Sequence, residues 1–369
     1  MDKQKVGILT FQNAHNWGAQ MQLYALKEYL EEQGYLVEVI NYINRNIESQ
    51  YPKTALPTIQ VHHFKSAVKY GMSLLQMPYR YAAYKRKYEK FNRFIQQLVQ
   101  DKPKIYEAEE IGKLDLDFII CGSDQIWNPN LTGGLDKAYF ANFQTKATKI
   151  AYAASMGIRK LPETEEKQFE EYIKQFDYLS VREEALQEYA EKFTDKTIYQ
   201  VLDPTLLIDI DKYRKIEKKL PYDHYILVYT LAENKILLQM AKKIAKTLGM
   251  PILELCYEKK ILKIGHKQIA DIGPEEFIGL IDQAEFVVTN SFHGTIFSIL
   301  LEKKFYTVAA KGVNSRIENI LKLTDLEDRC IATIEDIHTE DKIDFNKAKS
   351  RIQEERKASI HFLKEAMKR

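Results

Sequence analysis

The sequence predicts an α/β protein with two Rossmann-like, doubly wound domains that face each other across a cleft. Two observations support this prediction. The chain has 369 residues, 45% of them hydrophobic, and short apolar runs alternate with helical patterns in two successive series. A chain of this length normally divides into more than one hydrophobic core. Apolar runs separated by helices are typical of parallel sheets that are covered on both faces.

The first series defines an N-terminal domain. It opens with an apolar run at 6–11 and continues through the polar loop "QNAHNWG" into a helix, for which Asn16 is the expected N-cap and Gly34 the C′ residue. Further strands of this domain are expected at 36–42, 116–122, 149–155, 177–182 and 197–204.

The second series defines a C-terminal domain of the same kind. Its strands are expected at 225–231, 250–257, 285–290 and 304–309, with helices at 234–248, 273–284 and 294–303 and a last helix at about 345–367. The segment 203–221 is rich in charge and contains two prolines. We therefore divide the chain into domains 1–204 and 205–369.

Composition excludes several classes of protein. The 54 Lys and Arg residues nearly balance the 52 Asp and Glu residues, so the net charge of +2 does not indicate a nucleic-acid binder. The three cysteines are far apart and form no CxxC pair, so neither disulfides nor a cysteine zinc site is expected. A signal peptide and a run of 18 apolar residues are both missing from the sequence, which favours a cytoplasmic location.

A basic, aromatic helical insertion, at about 45–112, interrupts the N-terminal domain. Residues 61–100 contain eight Lys and Arg residues against one acid, Glu89, with aromatic residues at helical spacing. One interpretation is a helix whose aromatic stripe docks on the N-terminal domain while its cationic side is solvated. The other is a collar that holds an anionic or lipid-linked acceptor and associates peripherally with the inner face of a membrane.

The strongest chemical motif is "TNSFHGTIFSILL" at 289–301, where a buried strand ends and a helix is expected to start near Thr295. Ligands bind at this end of parallel strands, and a helix N-terminus attracts phosphate or carboxylate. A histidine can exchange a proton near neutral pH, so His293 is a candidate acid or base. The alternative is that the motif only caps the helix. The predicted site residues here are Asn290, Ser291, His293, Gly294 and Thr295.

Two other loops follow expected strands. "CGSDQIWNP" at 121–129 offers the polar residues Ser123, Asp124 and Gln125, and the flat face of Trp127 could stack on a sugar ring. The alternative is an ordinary turn with Trp127 in the core. In "NAHNWGAQ", Asn16 and Gly18 form a candidate anion site, although a single glycine does not make a dinucleotide fingerprint.

Arg182 and Arg316 lie where strand or loop ends meet helices, so either could bind a carboxylate or phosphate. Each could equally be a structural ion-pair residue. The sequence contains no HExxH, P-loop or GxSxG motif, and "DLD" at 115–117 is better explained as the solvated start of a strand. We therefore expect no metal and no cofactor.

Taken together, these motifs resemble the polysaccharide pyruvyl transferase family. The resemblance rests on "GILTFQNAHNWGAQMQLYALKEYL", "DFIICGSDQIWNP", "SVREE", "VLDPTLL", "TNSFHGTIFSILL" and "RIENIL", which are spread in order over residues 6 to about 323. It implies a GT-B-type pair of domains and an enzyme that moves pyruvate from phosphoenolpyruvate onto sugar hydroxyls as a ketal. His293 falls on the proposed catalytic histidine of the family, and Arg182 on an arginine implicated in donor binding.

The basic insertion matches no motif of that family, so the sequence does not identify the acceptor sugar or its linkage. We expect the acceptor to be a lipid-linked oligosaccharide. The sequence does not predict the oligomeric state. Two other functions remain. A GT-B glycosyltransferase that uses a nucleotide sugar would share the fold, because fold does not fix function. A non-catalytic glycan-binding relative would have lost the site chemistry, whereas this chain keeps His293 and both arginines.

Overall fold

The protein is described by a computed structural model that covers residues 3–52, 64–231, 234–257, 266–308 and 315–368. Within these residues the first sheet consists of parallel strands only. Their spatial order is β2 (Leu36–Val39), β1 (Lys5–Leu9), β3 (Phe118–Cys121), β4 (Thr148–Ala154), β5 (Tyr178–Val181) and β6 (Ile198–Gln200). All six were predicted from apolar runs, and the observed strands are shorter than or similar in length to those runs.

The second sheet is also parallel throughout the described residues. Its spatial order is β11 (Lys304–Thr307), β10 (Phe286–Thr289), β7 (Ile226–Tyr229), β8 (Ile252–Leu255) and β9 (Lys267–Ile269). The two parallel sheets confirm the prediction of two Rossmann-like units. The short strand β9 was not predicted, because "KQI" contains no apolar run. The exact boundary between 1–204 and 205–369 stays a prediction.

Helices cover the faces of both sheets. Those of the N-terminal part are α1 (Trp17–Glu32), α2 (Arg45–Ser49), α3 (Phe64–Val99), α4 (Ala108–Ile111), α5 (Pro129–Thr132), α6 (Glu163–Ile173) and α7 (Glu184–Ala190). Those that follow are α8 (Ile210–Ile216), α9 (Lys235–Leu248), α10 (Pro274–Asp282), α11 (Phe292–Leu300), α12 (Ser315–Thr324) and α13 (Phe345–Ala366). Two 3₁₀ helices span Pro204–Leu206 and Glu327–Arg329.

Apolar packing joins the two sheets into one molecule. A single hydrophobic cluster contains residues of both sheets, including Ile8 of β1 and Leu227 of β7. The indole of Trp17, at the start of α1, is fully buried in this cluster and donates a hydrogen bond to the carbonyl of Ile272 at 3.2 Å. Because a buried indole needs such a partner, this bond helps to fix the N-terminus of α1 against the second sheet.

The C-terminal helix α13 also contacts both halves. It packs along α12, and the hydroxyl of Ser359 accepts a hydrogen bond from the backbone of Leu202, 2.9 Å away, just after β6. The ring of Phe362 lies against those of Tyr152 and Tyr199 in the first sheet. The C-terminal helix, predicted at about 345–367, therefore packs back across the two halves. In the part of the chain that is described, no helix is both long and apolar enough to cross a bilayer.

Helix α3 is the longest described element of the basic insertion; His62 and His63 lie outside the described residues. The C-terminal part of its aromatic stripe is docked, since Phe91 and Phe94 are buried. Its cationic side is not simply solvated, because Arg86 and Lys90 form ion pairs with acids of the second half. Arg86 lies 2.7 Å from Asp271, and Lys90 lies 2.6 Å from Glu276 at the start of α10. The docking interpretation is therefore supported, with the correction that α3 bridges the two halves.

Candidate active site

The carboxyl ends of strands from both sheets meet at a cavity of about 200 Å³. Loops after β1 and β3 form one wall, and loops after β7 and β10, together with α11 and α12, form the other. Many of the predicted site residues line it: Asn16, Asp124, Gln125, Asn290, Ser291, His293 and Arg316. These residues are far apart in sequence, so the fold itself assembles this group.

Two helix N-termini point at this cavity from opposite sides. Asn16 caps α1, accepting hydrogen bonds from the backbone NH groups of Gly18 and Ala19. Ser291 caps α11, accepting one from the NH of Gly294. Helix N-termini carry unpaired NH groups and partial positive charge. Because both caps line the cavity, it provides a favourable environment for an anion.

His293 lies within the first turn of α11, not in the loop before it. The helix begins at Phe292 and not near Thr295, because Ser291 is the residue that adopts the extended N-cap conformation. The imidazole lines the cavity, and its side chain is 10% exposed. Its ring lies directly against Gly18, where a β-carbon would stand only 2.0 Å from Nδ1. Gly18 therefore serves the site by leaving room for the imidazole.

A buried carboxylate, Asp203, lies behind this histidine. Its Oδ2 is 3.6 Å from Nε2 of His293 and 2.7 Å from Nη1 of Arg182, and it accepts a hydrogen bond from the Ser123 hydroxyl at 3.2 Å. Burial by itself would raise the pKa of Asp203. The neighbouring His293 and Arg182, with a hydrogen bond from Thr205, outweigh burial and hold this pKa well below its usual range. Asp203 is thus a carboxylate in the resting site.

Asp203 was not predicted to belong to the site, although "VLDPTLL" is one of the motifs on which the resemblance rests. The signal in the sequence was an Asp before Pro-Thr, which is typical of an N-cap. Asp203 does cap the 3₁₀ helix that starts at Pro204. Its second role depends on Arg182 and His293, which are distant in sequence, and no local pattern reveals that proximity.

Arg182 is a buried ion-pair residue as well as a site residue. Its side chain is 3% exposed and pairs with Asp203 and, at 3.4 Å, with Glu183. Burial would lower the pKa of its guanidinium, but the carboxylates of Glu183 and Asp203 outweigh burial and raise it. The structural interpretation of Arg182 is therefore supported, and any contact that it makes with a ligand would be in addition to these pairs.

Arg316, on α12, is the more accessible of the two arginines. Its side chain is 17% exposed, and its Nε is 3.8 Å from the Glu183 carboxylate. Burial lowers the pKa of Arg316, and the charge of Arg182 lowers it further. Both guanidinium groups lie over the ring of Phe292, at 4.8 and 5.9 Å from its centre. Two cations held this close repel each other, so an anion between them would be stabilising.

A second cavity, of about 390 Å³, adjoins the first at Phe292 and Arg316. It shares Phe292 and Arg316 with the first cavity and is also lined by Arg182 and Asp203. Its far side is formed by α12 and α13. The two cavities therefore lie beside one set of charged groups.

Trp127 is a correction to the sequence prediction. It is 1% exposed, stacks on Phe140 with ring centres 5.0 Å apart, and donates a hydrogen bond to the carbonyl of Tyr139. Its flat faces are covered by protein, so they cannot stack on a sugar. The alternative interpretation, that Trp127 belongs to the core, is the one that the structure supports.

Three other predicted residues are also enclosed. Ser123 is fully buried and contacts Asp203 rather than the cavity. Thr295 is buried and donates its hydroxyl to the carbonyl of Ser291. Gly294 lies so close to Thr289 that a β-carbon would be 2.5 Å from the Thr289 hydroxyl. These residues shape the site from behind and do not line either cavity.

The loop after β3 places Asp124 and Gln125 in the cavity wall. Asp124 has a positive φ of 75°, and its carboxylate accepts a hydrogen bond from the backbone NH of Gln125. The Gln125 side chain is held in turn by a hydrogen bond from Asn128. Carboxylate and amide groups of this kind can bind hydroxyls. Among the residues that the structure describes, no group of three or more His, Cys, Asp or Glu side chains is arranged to hold a metal ion.

Two parallel sheets whose carboxyl ends meet at a histidine-containing cavity define an α/β protein with two Rossmann-like units. The sequence model of the polysaccharide pyruvyl transferase family matches residues 16–312. The chain belongs to this family, and it is therefore an enzyme of the polysaccharide pyruvyl transferase kind. No curated protein sequence gives a significant match.

Solved structures similar to the chain include the UDP-GlcNAc 2-epimerase from Methanocaldococcus jannaschii, at 13% identity and a TM-score of 0.48, covering 95% of this chain and 92% of that one. They also include a glycosyltransferase from Rickettsia africae, at 10% identity and a TM-score of 0.41, covering 98% and 94%. A third is an E. coli heptosyltransferase, at 11% identity and a TM-score of 0.37, covering 84% and 89%.

Proposed function

We propose that the protein transfers pyruvate from phosphoenolpyruvate onto hydroxyls of a sugar, in a surface polysaccharide or its lipid-linked precursor, and forms a ketal. The observation that supports this best is the convergence of the α1 and α11 N-termini, Arg316 and His293 on one cavity. Phosphoenolpyruvate carries a carboxylate and a phosphate, so it needs such anion-binding groups and brings no requirement for a redox cofactor.

The site residues match the steps of this chemistry. The donor must gain a proton at C3, which makes C2 electrophilic; a sugar hydroxyl then bonds to C2, and a second hydroxyl displaces phosphate. Both hydroxyls lose a proton, one in exchange for the proton given to C3 and one to the departing phosphate. His293 is the residue in the cavity suited to donate the first proton.

Arg316 and the two helix N-termini would hold the donor anions. Charge-assisted hydrogen bonds of this kind are stronger than neutral ones, and in a cavity shielded from water they require little reorganisation. Burial and the charge of Arg182 both lower the pKa of Arg316, and a bound dianion would relieve the repulsion between the two arginines. Asp124, Gln125 and Asn290 would then bind hydroxyls of the acceptor.

We also infer that the acceptor is lipid-linked and that the protein works in the cytoplasm at the inner face of the membrane. Support comes from α3, where Tyr79 and Tyr81 are 60% and 43% exposed. Aromatic side chains beside basic ones favour a membrane interface. Sedimentation with vesicles of anionic phospholipid tests the membrane association. A Tyr79→Ser, Tyr81→Ser variant should bind the vesicles less than the wild type, and equal binding would contradict the association.

The activity is tested by incubating purified protein with phosphoenolpyruvate and lipid-linked glycans while measuring phosphate release. We expect release that requires both substrates, and a product heavier than the acceptor by one pyruvyl ketal in mass spectrometry. A parallel reaction with nucleotide sugars distinguishes the glycosyltransferase alternative. Sugar transfer from a nucleotide without reaction of phosphoenolpyruvate would contradict the proposal, and inactivity with both donors would favour a glycan-binding relative.

A further inference from the structure

The orientation of the His293 imidazole distinguishes its two nitrogens. Within the described residues, Nε2 is enclosed and has no hydrogen-bond partner. It faces Oδ2 of Asp203 at 3.6 Å. The ring still lines the cavity, so a ligand there must approach through another edge. Nδ1 lies against Gly18, whose missing side chain makes room for the ring itself, and unlike Nε2 it is not both enclosed and unpartnered.

The environment of Asp203 supports a defined role for that carboxylate. Its side chain is fully buried, and Arg182 and Ser123 contact Oδ2, the same oxygen that faces His293. Thr205 binds the other oxygen, Oδ1, through both its backbone NH and its hydroxyl. These contacts fix the carboxylate plane, so Asp203 cannot turn away from the imidazole.

We infer that Asp203 is a positioning residue for His293: it faces a proton on Nε2, and Nδ1 is the nitrogen that exchanges a proton with the ligand. This inference rests on the proposed function for its catalytic consequence. A distance of 3.6 Å is longer than a hydrogen bond. Contacts between catalytic groups are often long in unliganded enzymes and tighten when substrate binds.

The other charged groups around the imidazole do not offer Nε2 an alternative acceptor. Arg182 and Arg316 are cations and can only donate, and the contacts found for the Glu183 carboxylate in the described residues run through Oε1 to Arg182, Arg316 and the Ser155 hydroxyl, not to His293. Asp124 lines the cavity, on the side from which a ligand would approach. Asp203 is therefore the carboxylate in contact with Nε2.

The proton balance follows from this arrangement. The Nδ1–H bond breaks as the π electrons of the donor's C2–C3 double bond form a new C3–H bond. The two electrons of the broken N–H bond stay on Nδ1 as a lone pair. The sugar hydroxyl that bonds to C2 then returns its proton to Nδ1. The Nε2–H bond is unchanged throughout and stays directed at the Asp203 carboxylate.

The tautomer can be measured directly in the resting protein. Histidine labelled with ¹⁵N gives different long-range ¹H–¹⁵N correlations for the two neutral tautomers, and a His293→Gln variant assigns the His293 signal. We expect neutral His293 to keep its proton on Nε2. In Asp203→Asn this preference should weaken, and turnover should fall at least about 10-fold with a smaller change in the KM for phosphoenolpyruvate.

Thr205→Val is the matched control, because it removes a hydrogen bond to Oδ1 and leaves the carboxylate that faces His293. It should keep the wild-type tautomer. A proton on Nδ1 of neutral His293 in the wild type would overturn the inference, as would an unchanged tautomer in Asp203→Asn. If Asp203→Asn does not fold, the tautomer of neutral His293 in the wild-type spectrum tests the inference by itself. If phosphoenolpyruvate proves not to be a substrate, the spectrum still tests the Asp203–His293 pairing.

Discussion

The ring of His293 lies in the space that a side chain at position 18 would fill. A β-carbon built on Gly18 would be 2.0 Å from Nδ1 and 2.4 Å from Cγ of the imidazole. Gly18 belongs to the first turn of α1 and His293 to the first turn of α11, so two helix N-termini from opposite halves meet at this contact.

A Gly18→Ala substitution should therefore impair turnover without unfolding the protein. Alanine is favoured over glycine within a helix by about 1 kcal/mol, so local stability should not suffer from propensity. The methyl group would instead displace the imidazole, and a misplacement of about 1 Å can cost roughly 100-fold in rate. Steady-state turnover and the midpoint of urea unfolding measure the two effects separately.

Gly249→Ala is the matched control. Gly249 ends α9 with a φ of 69° and has nothing within 4 Å of its β position. Alanine there should lower the free energy of unfolding by about 1–2 kcal/mol through its left-handed backbone conformation, with normal turnover. Normal turnover in Gly18→Ala would show that the imidazole can move aside or that its position is unimportant.

Arg316→Ala should weaken donor binding. Loss of one charge-assisted contact costs about 1.5–3 kcal/mol, so the KM for phosphoenolpyruvate should rise roughly 10- to 150-fold. The KM for the sugar should change much less, and Arg316→Lys should give an intermediate value because it keeps the charge and loses the planar fork. An unchanged KM for phosphoenolpyruvate in a folded Arg316→Ala protein would contradict this role.

Arg182→Ala is a less specific test of donor binding by the two arginines. The family resemblance implies a role for Arg182 in donor binding, but this arginine is also the counter-ion of the buried Asp203. Its removal would leave a buried carboxylate unpaired, which typically costs about 3–5 kcal/mol of stability. A raised KM in that variant would therefore combine a loss of donor contact with a disturbed site.

The two sheets could be predicted from sequence because each buried parallel strand is a short apolar run, such as "FIIC" in β3 and "FVVT" in β10. The residues around the cavity were found because polar residues follow those strands. The role of Asp203 could not be predicted, since it depends on three-dimensional proximity to Arg182 and His293. Trp127 was misassigned because an aromatic residue after a strand can face either the core or a ligand.

Stability should decrease as the pH falls from about 6.5 to about 4 because of His15. This imidazole is buried between the rings of Tyr51 and Phe91, and burial, assisted by the charge of Lys87, lowers its pKa to about 4. In the unfolded chain the pKa is about 6.5. Below that pH the unfolded state binds the proton more readily, so up to about 3 kcal/mol of stability is lost by pH 4.

The measurement is urea unfolding at a series of pH values for the wild type and His15→Gln, which cannot gain the charge. The pH dependence between 6.5 and 4 should be shallower in the variant. His361→Ala is the control, because that side chain is 73% exposed and its removal should leave the curve unchanged. Equal slopes in the wild type and His15→Gln would mean that other groups cause the acid sensitivity.

Helix α3 should hold the two halves together through charge. Arg86 donates from both Nε and Nη2 to Asp271, at 2.9 and 2.7 Å. Reversing one charge in Asp271→Arg should lower the free energy of unfolding by about 1 kcal/mol, and the exchanged pair Arg86→Asp, Asp271→Arg should recover most of it. Glu89→Arg, on the same helix, is a control outside this pair. A double variant no more stable than Asp271→Arg would contradict the bridge.

The most informative prediction concerns His293 itself. General acid–base groups typically contribute about 10² to 10⁴ in rate, so His293→Ala should lose roughly 100-fold or more in turnover. The KM for phosphoenolpyruvate should stay within a few-fold, because Arg316 and the helix N-termini that would hold the donor remain. Added imidazole should restore part of the rate by entering the vacated space.

His62→Ala and His63→Ala, at positions outside the described residues, are the control variants, and their turnover is expected to be close to that of the wild type. If His293→Ala turns over a pyruvylatable acceptor normally, His293 is not the proton donor, and the glycosyltransferase and glycan-binding alternatives become the better explanations of the site.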